Sequence, residues 1–438
     1  MRRWAFFVIV SHLLDHSLIA DNELMPISRQ IISLEESLSL DGPPDATVTV
    51  GGQNYQYHSG NSYFGLQAHP EVLAVTCEAV LRYGVSTGMS RSAYTSPPVF
   101  DVQRNVAEAL SMENAFYFSS GYSANQLLLE ILVGTFDRIF IDEAAHSSLF
   151  DSVKILRSNA SQPILFAHRN PEDLRTQLDL NLRPNQRPLV LTDGVFASQG
   201  EIAPLYEYAE LLANYTEASI LIDDAHGFGV LGSQGRGTLE HFGFHPAGAN
   251  RTSHDFDQDM DCGNFEPTYF TNETIIPACT PVRFYFTTSM SKALGGFGGV
   301  IPGSESFIQR MTERSRIFFA ASAPPNPIAA ATNKGLELVF KTSKLREILR
   351  RNTKYLKAKL TKLGFPVGSS PVPIVALQFG SGQNMRRIQR TLFQCGILTT
   401  YIPRSPGVGA DGLLRIAVFA THTQDMLDTL VETLQKVV

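Results

Sequence analysis

Short apolar runs alternate with longer amphipathic stretches through the middle of the chain. The runs are continuously apolar, which is typical of strands buried on both faces, whereas the stretches between them repeat apolar residues every three or four positions. The predicted strands are 115–118, 138–141, 163–167, 188–192, 219–223 and 284–288, and the predicted helices are 71–83, 102–111, 124–132, 149–156, 171–179 and 205–214. This order predicts a mostly parallel sheet with helices on both faces.

The two ends of the chain follow other patterns. Near the start, apolar and polar residues alternate over 47–50 and 55–57 around Gly51 and Gly52, which predicts a β-hairpin. After residue 327 come a helical tract over 329–363, interrupted near Ser343, and then strands and one more helix, at 373–379, 397–402, 413–419 and 423–437. We therefore predict an N-terminal helical arm with a small hairpin (1–60), a large α/β domain (61–325) and a smaller C-terminal α+β domain (326–438).

Residues 243–281 interrupt the alternation with a polar, acidic segment, and a surface insertion is expected there. Its alternating aspartates beside His254 suggest a metal site, but the glycine and glutamate of a calcium-binding loop do not follow, which favours a solvated loop. Cys262 and Cys279 lie in the same segment and are a candidate disulfide only if the segment is oxidised and the geometry allows it.

Charge and hydropathy exclude some classes of protein. The 438 residues carry a formal net charge of −6, and no run of Lys and Arg forms a basic stripe, so no nucleic-acid partner is expected. No apolar stretch reaches the length of a transmembrane helix. Arg2 and Arg3 precede a short apolar run that resembles a signal peptide, but an amphipathic helix fits it better, and we expect a cytoplasmic protein.

Lys292 lies in the most distinctive segment, 287–299, where a strand ends in hydroxyl residues and paired glycines follow the lysine. Glycines allow close backbone approach, and a desolvated lysine can form a Schiff base with an aldehyde cofactor. The alternatives are an anion site or an ordinary turn. A nucleotide-binding P-loop does not fit, because its glycines precede its lysine.

Three further segments carry residues suited to cofactor chemistry. The apolar strand 219–223 ends in Asp223, followed by His226, at a strand end where open α/β sheets bind ligands. The run 118–125 follows a strand and opens a helix, whose first backbone amides can bind a phosphate. His146 follows another strand and could stack on a flat ring. Each of these signals, taken alone, also fits an ordinary cap or loop residue.

In their order and spacing, these four segments resemble the α-oxoamine synthase family of fold-type-I enzymes, which use pyridoxal 5′-phosphate (PLP). The resemblance extends from Asn61 to Val438. Further matching stretches are 61–66, 69–71, 88–91, 192–196, 232–237, 240–243, 414–416 and 420–423. The joint match is specific, although each piece alone is not. The resemblance implies a fold-type-I PLP-dependent transferase fold, with a large mostly parallel sheet domain and a smaller C-terminal α+β domain.

The family resemblance also implies residue roles and partners. It implies that Lys292 holds PLP as a Schiff base and shuttles a proton, and that Arg415 grips the substrate carboxylate. The other implied cofactor contacts are His146 (ring stacking), Asp223 (pyridinium nitrogen), His226 (ring hydroxyl side), and Ser120, Gly121, Tyr122 and Ser289 (phosphate). The implied reaction joins glycine, alanine or serine to an acyl-CoA thioester with loss of CO2, in a homodimer with a shared active site. No metal is implied.

The chain departs from the family pattern at several positions. Ala197 stands where a serine usually contacts the cofactor hydroxyl, and Phe100 stands where the family has a histidine. Ala320 and Ala321 replace a hydroxyl pair that commonly reaches the neighbouring subunit's phosphate, leaving Ser322. These changes leave two alternatives open: a PLP lyase or aldolase of the same fold, or a catalytically altered partner subunit.

Overall fold

The computed structural model describes residues 38–93, 95–156, 162–244, 281–404 and 407–438. Leu40–Val438 form one compact unit. The predictions for the N-terminal arm before residue 38, for most of the acidic insertion, and for Cys262 and Cys279 lie outside the described residues. Within the described residues, no helix is both long enough and apolar enough to cross a membrane.

Strands and helices are numbered here along the described part of the chain. The strands are β1 (Thr47–Val50), β2 (Gln53–Tyr57), β3 (Asn114–Phe118), β4 (Arg138–Asp142), β5 (Ile164–Phe166), β6 (Pro188–Asp193), β7 (Val195–Phe196), β8 (Glu201–Ile202), β9 (Ser219–Asp223), β10 (Arg283–Ser289), β11 (Gly299–Gly303), β12 (Ile374–Leu377), β13 (Ile397–Leu398), β14 (Thr400–Ile402) and β15 (Leu413–Ala417). The α-helices are α1 (Pro70–Tyr83), α2 (Pro97–Leu110), α3 (Tyr122–Leu132), α4 (Ser147–Ile155), α5 (Pro171–Asn181), α6 (Leu205–Leu212), α7 (Thr238–His241), α8 (Glu305–Arg314), α9 (Arg316–Ala320), α10 (Asn326–Phe340), α11 (Lys344–Lys362), α12 (Gly382–Gln394) and α13 (Gln424–Val437).

A seven-stranded sheet in the order β3-β11-β10-β9-β6-β4-β5 forms the centre of the fold. The strands from β10 to β5 run parallel, and β11 is antiparallel to both of its neighbours. Parallel strands end at the same edge of a sheet, which is where open α/β folds bind ligands. Asp142, Asp193, Asp223 and Ser289 are the last residues of β4, β6, β9 and β10, so they lie along this edge.

Both faces of the central sheet are covered, as its continuous apolar strands predict. Val190 and Ile220 belong to one hydrophobic cluster, whereas their chain neighbours Leu189 and Leu221 belong to a second. Because successive side chains of a strand point to opposite faces, these clusters are the two layers that sandwich the sheet. The predicted α/β fold class is confirmed.

The C-terminal part of the chain builds a separate small sheet in the order β12-β15-β14, all antiparallel. Its apolar side chains, together with those of α11, α12 and α13, form a third hydrophobic cluster. β13 instead pairs in parallel with β2 of the N-terminal hairpin. The hairpin is thus tied to the C-terminal segment, and β15 carries Arg415.

Several elements differ from the expectation. Helix α2 begins at Pro97 instead of residue 102, because Ser96 is extended and a proline is well tolerated in the first turn. The break predicted near Ser343 is confirmed, since α10 and α11 are separate helices. The sequence pattern did not predict β11, which is short and bounded by glycines. It also did not predict α12, whose buried face has only three residues, Met385, Ile388 and Leu392.

Candidate active site

Asp223 ends β9, and its carboxylate is held by two N–H donors and lies near a hydroxyl group. The Asn125 side-chain amide donates to Oδ2 at 2.6 Å, and the Ser148 hydroxyl lies 3.4 Å from the same oxygen. The backbone N–H of Ala225 donates to Oδ1 at 3.2 Å. A carboxylate is a pure acceptor when ionised, so this shell of donors suits a charged Asp223.

His146 is the N-cap of α4, at the end of the loop that follows β4. Its Nδ1 accepts from the backbone N–H of Ser148 at 3.3 Å and lies 2.8 Å from the Ser148 hydroxyl. Its own backbone N–H donates to Asp193 Oδ1 at 3.0 Å. The ring also meets the edge of Tyr122, with ring centroids 5.8 Å apart. The ring is therefore held by the hydrogen bond from the Ser148 backbone, by the bond from the His146 backbone to Asp193, and by contact with Tyr122.

Lys292 follows the end of β10 in a half-buried turn. Burial lowers its pKa; the nearby Asp223 carboxylate opposes this, and the Arg415 guanidinium adds to it. A lowered pKa leaves more of the amine unprotonated at neutral pH, the form that attacks a carbonyl. The two glycines after it are required by packing: a Cβ on Gly295 would lie 2.7 Å from the Leu66 Cβ, and one on Gly296 2.3 Å from the Thr332 hydroxyl.

The loop of Ser120, Gly121 and Tyr122 lies directly beside Ser289. A Cβ on Gly121 would approach Ser289 Oγ to 2.7 Å, so only glycine allows this contact. Ser289 Oγ lies 2.8 Å from Ser291 Oγ. Helix α3 begins at Tyr122, so its first backbone amides and the serine hydroxyls converge on one place. That combination suits a phosphate group.

His226 lies three residues after the end of β9 and interacts electrostatically with Lys292, Arg415 and His146. Its Nδ1 lies 2.9 Å from the hydroxyl of the buried Tyr63. Burial, then the charges of Lys292 and Arg415, hold the pKa of His226 well below its usual range, so the ring is neutral at pH 7. Tyr63 was not among the predicted site residues, although it lies in a stretch (61–66) that carries the family resemblance.

Arg415 on β15 brings the C-terminal sheet into the site. Its Nε donates to Ala197 O at 2.6 Å, Nη1 to Gly60 O at 2.9 Å and Nη2 to Asn61 Oδ1 at 2.7 Å. The guanidinium has five N–H groups, so these three bonds leave two for other partners. One of these two can donate to the Tyr63 hydroxyl. Arg415 is buried, and its charge acts on both Lys292 and His226.

Asp193 adds a second carboxyl beside Asp223, since the two residues are direct partners on β6 and β9. Burial, and then the charge of Asp223, raise the pKa of Asp193 well above its usual range. Asp193 also accepts from the backbone N–H of His146. The sequence contained this aspartate in a matching stretch, 192–196, but nothing in the pattern indicated that its pKa is raised.

The structure also locates the departures from the family pattern. Ala197 is half-buried and contacts Arg415 through its carbonyl oxygen, which any residue would supply. Phe100 on α2 is 55% exposed. Ala321 accepts a backbone hydrogen bond from Arg91, and Ser322 pairs with Ser90 as an isolated β-bridge. Ala321 and Ser322 thus hold their segment in place through backbone contacts with Arg91 and Ser90.

A second polar cluster at the same sheet edge escaped sequence analysis. His168 Nδ1 lies 3.0 Å from the buried Asp142 carboxylate, and Nε2 lies 3.4 Å from Glu201. Arg169 completes the cluster with a 2.9 Å ion pair to Glu201. Burial alone would lower the pKa of His168, but the two carboxylates raise it to about 9. The cluster joins the loop after β5 to the β7–β8 hairpin, and Ala197 lies in the turn of that hairpin.

The residues at the sheet edge fit PLP. A carboxylate held by donors suits the pyridine nitrogen, a fixed imidazole suits the ring face, and a half-buried lysine with a lowered pKa suits the aldehyde. The helix start at Tyr122, with Ser120 and Ser289, provides the donors that a phosphate needs. The site thus has one group for each part of the cofactor.

Comparisons with known proteins agree with this geometry. The model of the family "Aminotransferase class I and II" matches residues 59–434. The 8-amino-7-oxononanoate synthase of Alkaliphilus oremlandii is 31% identical over 401 residues, which are 91% of this chain and 91% of that protein. The enzyme of the same name from Methylococcus capsulatus is 33% identical over 397 residues, 90% of this chain and 92% of that protein.

A solved structure supports the fold. Sphingomonas wittichii serine palmitoyltransferase matches with a TM-score of 0.77 and 21% identity, covering 99% of this chain and 97% of that chain. The predicted fold-type-I architecture is therefore confirmed. The chain belongs to the aminotransferase class I and II family and, within it, to the α-oxoamine synthases, and it is a PLP-dependent acyltransferase.

Proposed function

We propose that the protein condenses a small amino acid (glycine, alanine or serine) with an acyl-CoA thioester, with loss of CO2, to give an α-aminoketone. The observation that carries this proposal is the position of Arg415. A guanidinium from the C-terminal sheet acts electrostatically on Lys292 and His226, and it keeps N–H groups beyond its three bonds. This supports a role for Arg415 in holding an amino-acid carboxylate beside the lysine.

Each residue has a separate task in this proposal. PLP supplies the electron sink for the charge that forms at the substrate α-carbon. Lys292 binds the cofactor aldehyde at rest and moves the α-proton during the reaction, which its lowered pKa favours. With PLP bound, Asp223 would bond the pyridine nitrogen, His146 would stack on the ring and His226 would lie at the ring hydroxyl. Ser120, Gly121, Tyr122 and Ser289 hold the phosphate.

The relatives support the acyl-transfer step. The name 8-amino-7-oxononanoate synthase describes a product with an amino group beside a ketone. Such a product results when the α-carbon of an amino acid is joined to an acyl group. The choice among glycine, alanine and serine, and the length of the acyl chain, belong to the proposal.

A substrate matrix tests the reaction. Purified PLP-loaded protein is mixed with glycine, alanine or serine and with acyl-CoAs of increasing chain length, while free thiol and CO2 are followed together. We expect equal release of both from at least one pair. Cleavage of β-hydroxy amino acids without thiol release would instead indicate a lyase or aldolase. No turnover with any pair would indicate an altered partner subunit.

Arg415→Lys tests the carboxylate contact. Lysine keeps the positive charge but loses the planar fork, so we expect KM for the amino acid to rise roughly ten- to hundredfold while KM for the acyl-CoA stays unchanged. Arg346→Lys is the matched control, because Arg346 is also buried and bonds the carbonyl oxygens of Val339 and Thr342. Equal rises in both KM values, or the same rise in the control, would refute the assignment.

We also propose that two copies of the chain form a dimer with a shared active site. Exposed apolar side chains support this proposal, since Val85, Phe297 and Phe319 are 69%, 53% and 53% exposed. Phe297 lies only five residues after Lys292. Light scattering of the purified protein should give twice the chain mass, and a monomer that retains full activity would contradict a shared site. The cytoplasmic location stays a prediction.

A further inference from the structure

Asn125 occupies the centre of a buried network behind the cofactor-facing residues. It lies in the first turn of α3 and has no exposed surface. Its Nδ2 donates to Asp223 Oδ2 at 2.6 Å and to Ser148 Oγ at 2.9 Å. Its Oδ1 accepts from Thr287 Oγ1 at 2.7 Å. One side chain therefore links α3, α4, β9 and β10.

The chemistry of the partners allows only one orientation of this amide. An ionised Asp223 offers acceptors alone, so the amide must present its NH2 group there. The amide oxygen then faces Thr287, whose hydroxyl has to donate. Both N–H groups and the oxygen of Asn125 are thus used, which fixes the amide against rotation.

Ser148 extends the network to His146. Its hydroxyl accepts from Asn125, and its oxygen lies closer to His146 Nδ1, at 2.8 Å, than to Asp223 Oδ2, at 3.4 Å, so its single proton is better donated to His146. The backbone N–H of Ser148 also donates to His146 Nδ1. Because Nδ1 accepts, the ring proton must be on Nε2. Ser148 therefore selects the tautomer of the stacking histidine.

We infer that Asn125 is a positioning residue that couples Asp223 to His146, with Ser148 as the link whose hydrogen bonds to Nδ1 direct the ring proton of His146 to Nε2. This inference rests on the proposed placement of PLP between these two side chains. In this role, Asn125 holds the Asp223 carboxylate directly and the His146 ring through Ser148, so the two stay at a fixed separation. Neither residue type nor helix position in the sequence indicates such a role.

Other charged groups surround the same residues. The charge of Asp223 acts on Lys292, Asp193 and Asp224, and that of His146 acts on His226. Asn125→Ala removes none of these groups and adds no charge. Effects on cofactor binding in the variants can therefore be assigned to the network itself.

The test measures PLP affinity of apo-protein by equilibrium dialysis, which is independent of any substrate. Asn125→Ala removes a bond to a charged oxygen, so the dissociation constant for PLP should rise roughly ten- to hundredfold. Asn125→Asp should raise it further, because two carboxyls then face each other. Gln126→Ala is the matched control: Gln126 is the next residue on the same helix, bonds Glu130, and should leave PLP affinity unchanged.

Two milder variants keep the test decisive if Asn125→Ala does not fold. Thr287→Val removes the hydroxyl that orients the amide and should weaken PLP binding roughly two- to tenfold. Ser148→Ala leaves the Asn125–Asp223 bond but frees His146, so it should also move the pH midpoint of the visible cofactor band. The double variant Asn125→Ala/Ser148→Ala should lose less affinity than the product of the two single losses, because both act in one network.

The outcomes separate this inference from the proposed reaction. PLP affinity in Asn125→Ala and Thr287→Val equal to that of the unchanged protein, or an equal loss in Gln126→Ala, would overturn the role of Asn125. Strictly multiplicative losses in the double variant would overturn the coupling through Ser148. An unchanged protein that binds PLP tightly but releases no thiol would refute the reaction and leave the inference standing.

Discussion

Two polar clusters lie along the same edge of the central sheet, and they are built differently. The cluster around Asn125 uses neutral amide and hydroxyl groups to hold one carboxylate, Asp223. The cluster around His168 is ionic and joins a histidine and Arg169 to two carboxylates. Neutral donors fix geometry without changing the charge at the site, whereas an ionic cluster depends on pH.

The neutral cluster around Asn125 and the ionic cluster around His168 also lie at different distances from Lys292. The Asn125 network lies beside Lys292, whose pKa is sensitive to every nearby charge, so neutral support keeps that pKa steady. The His168 cluster lies one step away and fastens the β7–β8 hairpin, which supplies the Ala197 carbonyl to Arg415. We therefore propose that the first cluster supports the cofactor site and that the second supports the scaffold. The following variants test that division.

Lys292→Ala should have the largest effect of these variants, and the effect should be on catalysis. Loss of the residue that moves the α-proton is expected to lower kcat by about 10²- to 10⁴-fold, and borohydride should no longer fix the cofactor onto this position. Steady-state kinetics and peptide mass analysis measure both. The exposed Lys341, paired with Glu337, gives the matched control Lys341→Ala, which should keep full activity. Borohydride that still fixed the cofactor onto the Lys292→Ala protein, at another lysine, would contradict the assignment.

His168→Gln should affect stability more than catalysis. His168 has a pKa of about 9, raised above its unfolded value of about 6.5, so its contribution is complete below pH 6.5 and is lost as pH rises through 9. We expect Tm at pH 7 to fall by about 2–4 °C, and the difference from the unchanged protein to shrink between about pH 8 and 10.

A second histidine provides the control for this pH dependence. Burial lowers the pKa of His241, so His241→Gln should not change the slope of Tm against pH above pH 8. A drop in Tm for His168→Gln that stays constant up to pH 10 would contradict the ionic nature of the cluster. A large loss of PLP affinity in this variant would contradict the division between the two clusters.

Ala197→Ser should have the smallest effect. The serine would restore the hydroxyl that the family pattern places near the cofactor, while the backbone bond from Ala197 O to Arg415 is kept. One added neutral hydrogen bond should tighten PLP binding roughly two- to tenfold, measured by equilibrium dialysis. Ser198→Ala, one residue on, is the control and should leave affinity unchanged. Weaker binding in the control would show that Ser198 already replaces the missing hydroxyl.

Much of the fold could be predicted because its signals are local. Continuous apolar runs marked the buried parallel strands, and strand ends marked Asp223 and Ser289 as residues of the binding edge. The antiparallel β11 was missed because its pairing with β3 and β10 is a contact between distant segments. A five-residue strand bounded by glycines carries no local sign of that pairing.

For the site, the sequence by itself determined which residue types were present and in what order: Lys292 after a strand, Asp223 at a strand end and Arg415 near the C-terminus. Only the tertiary structure decided which of them lie close enough to change one another's pKa. The pKa of Asp193 is raised because the residue is buried and because β6 and β9 place it beside Asp223, and the pKa of His168 is raised to about 9 because Asp142 and Glu201 lie beside it. Protonation depends on burial and on neighbours far apart in the chain, and those are set by folding alone.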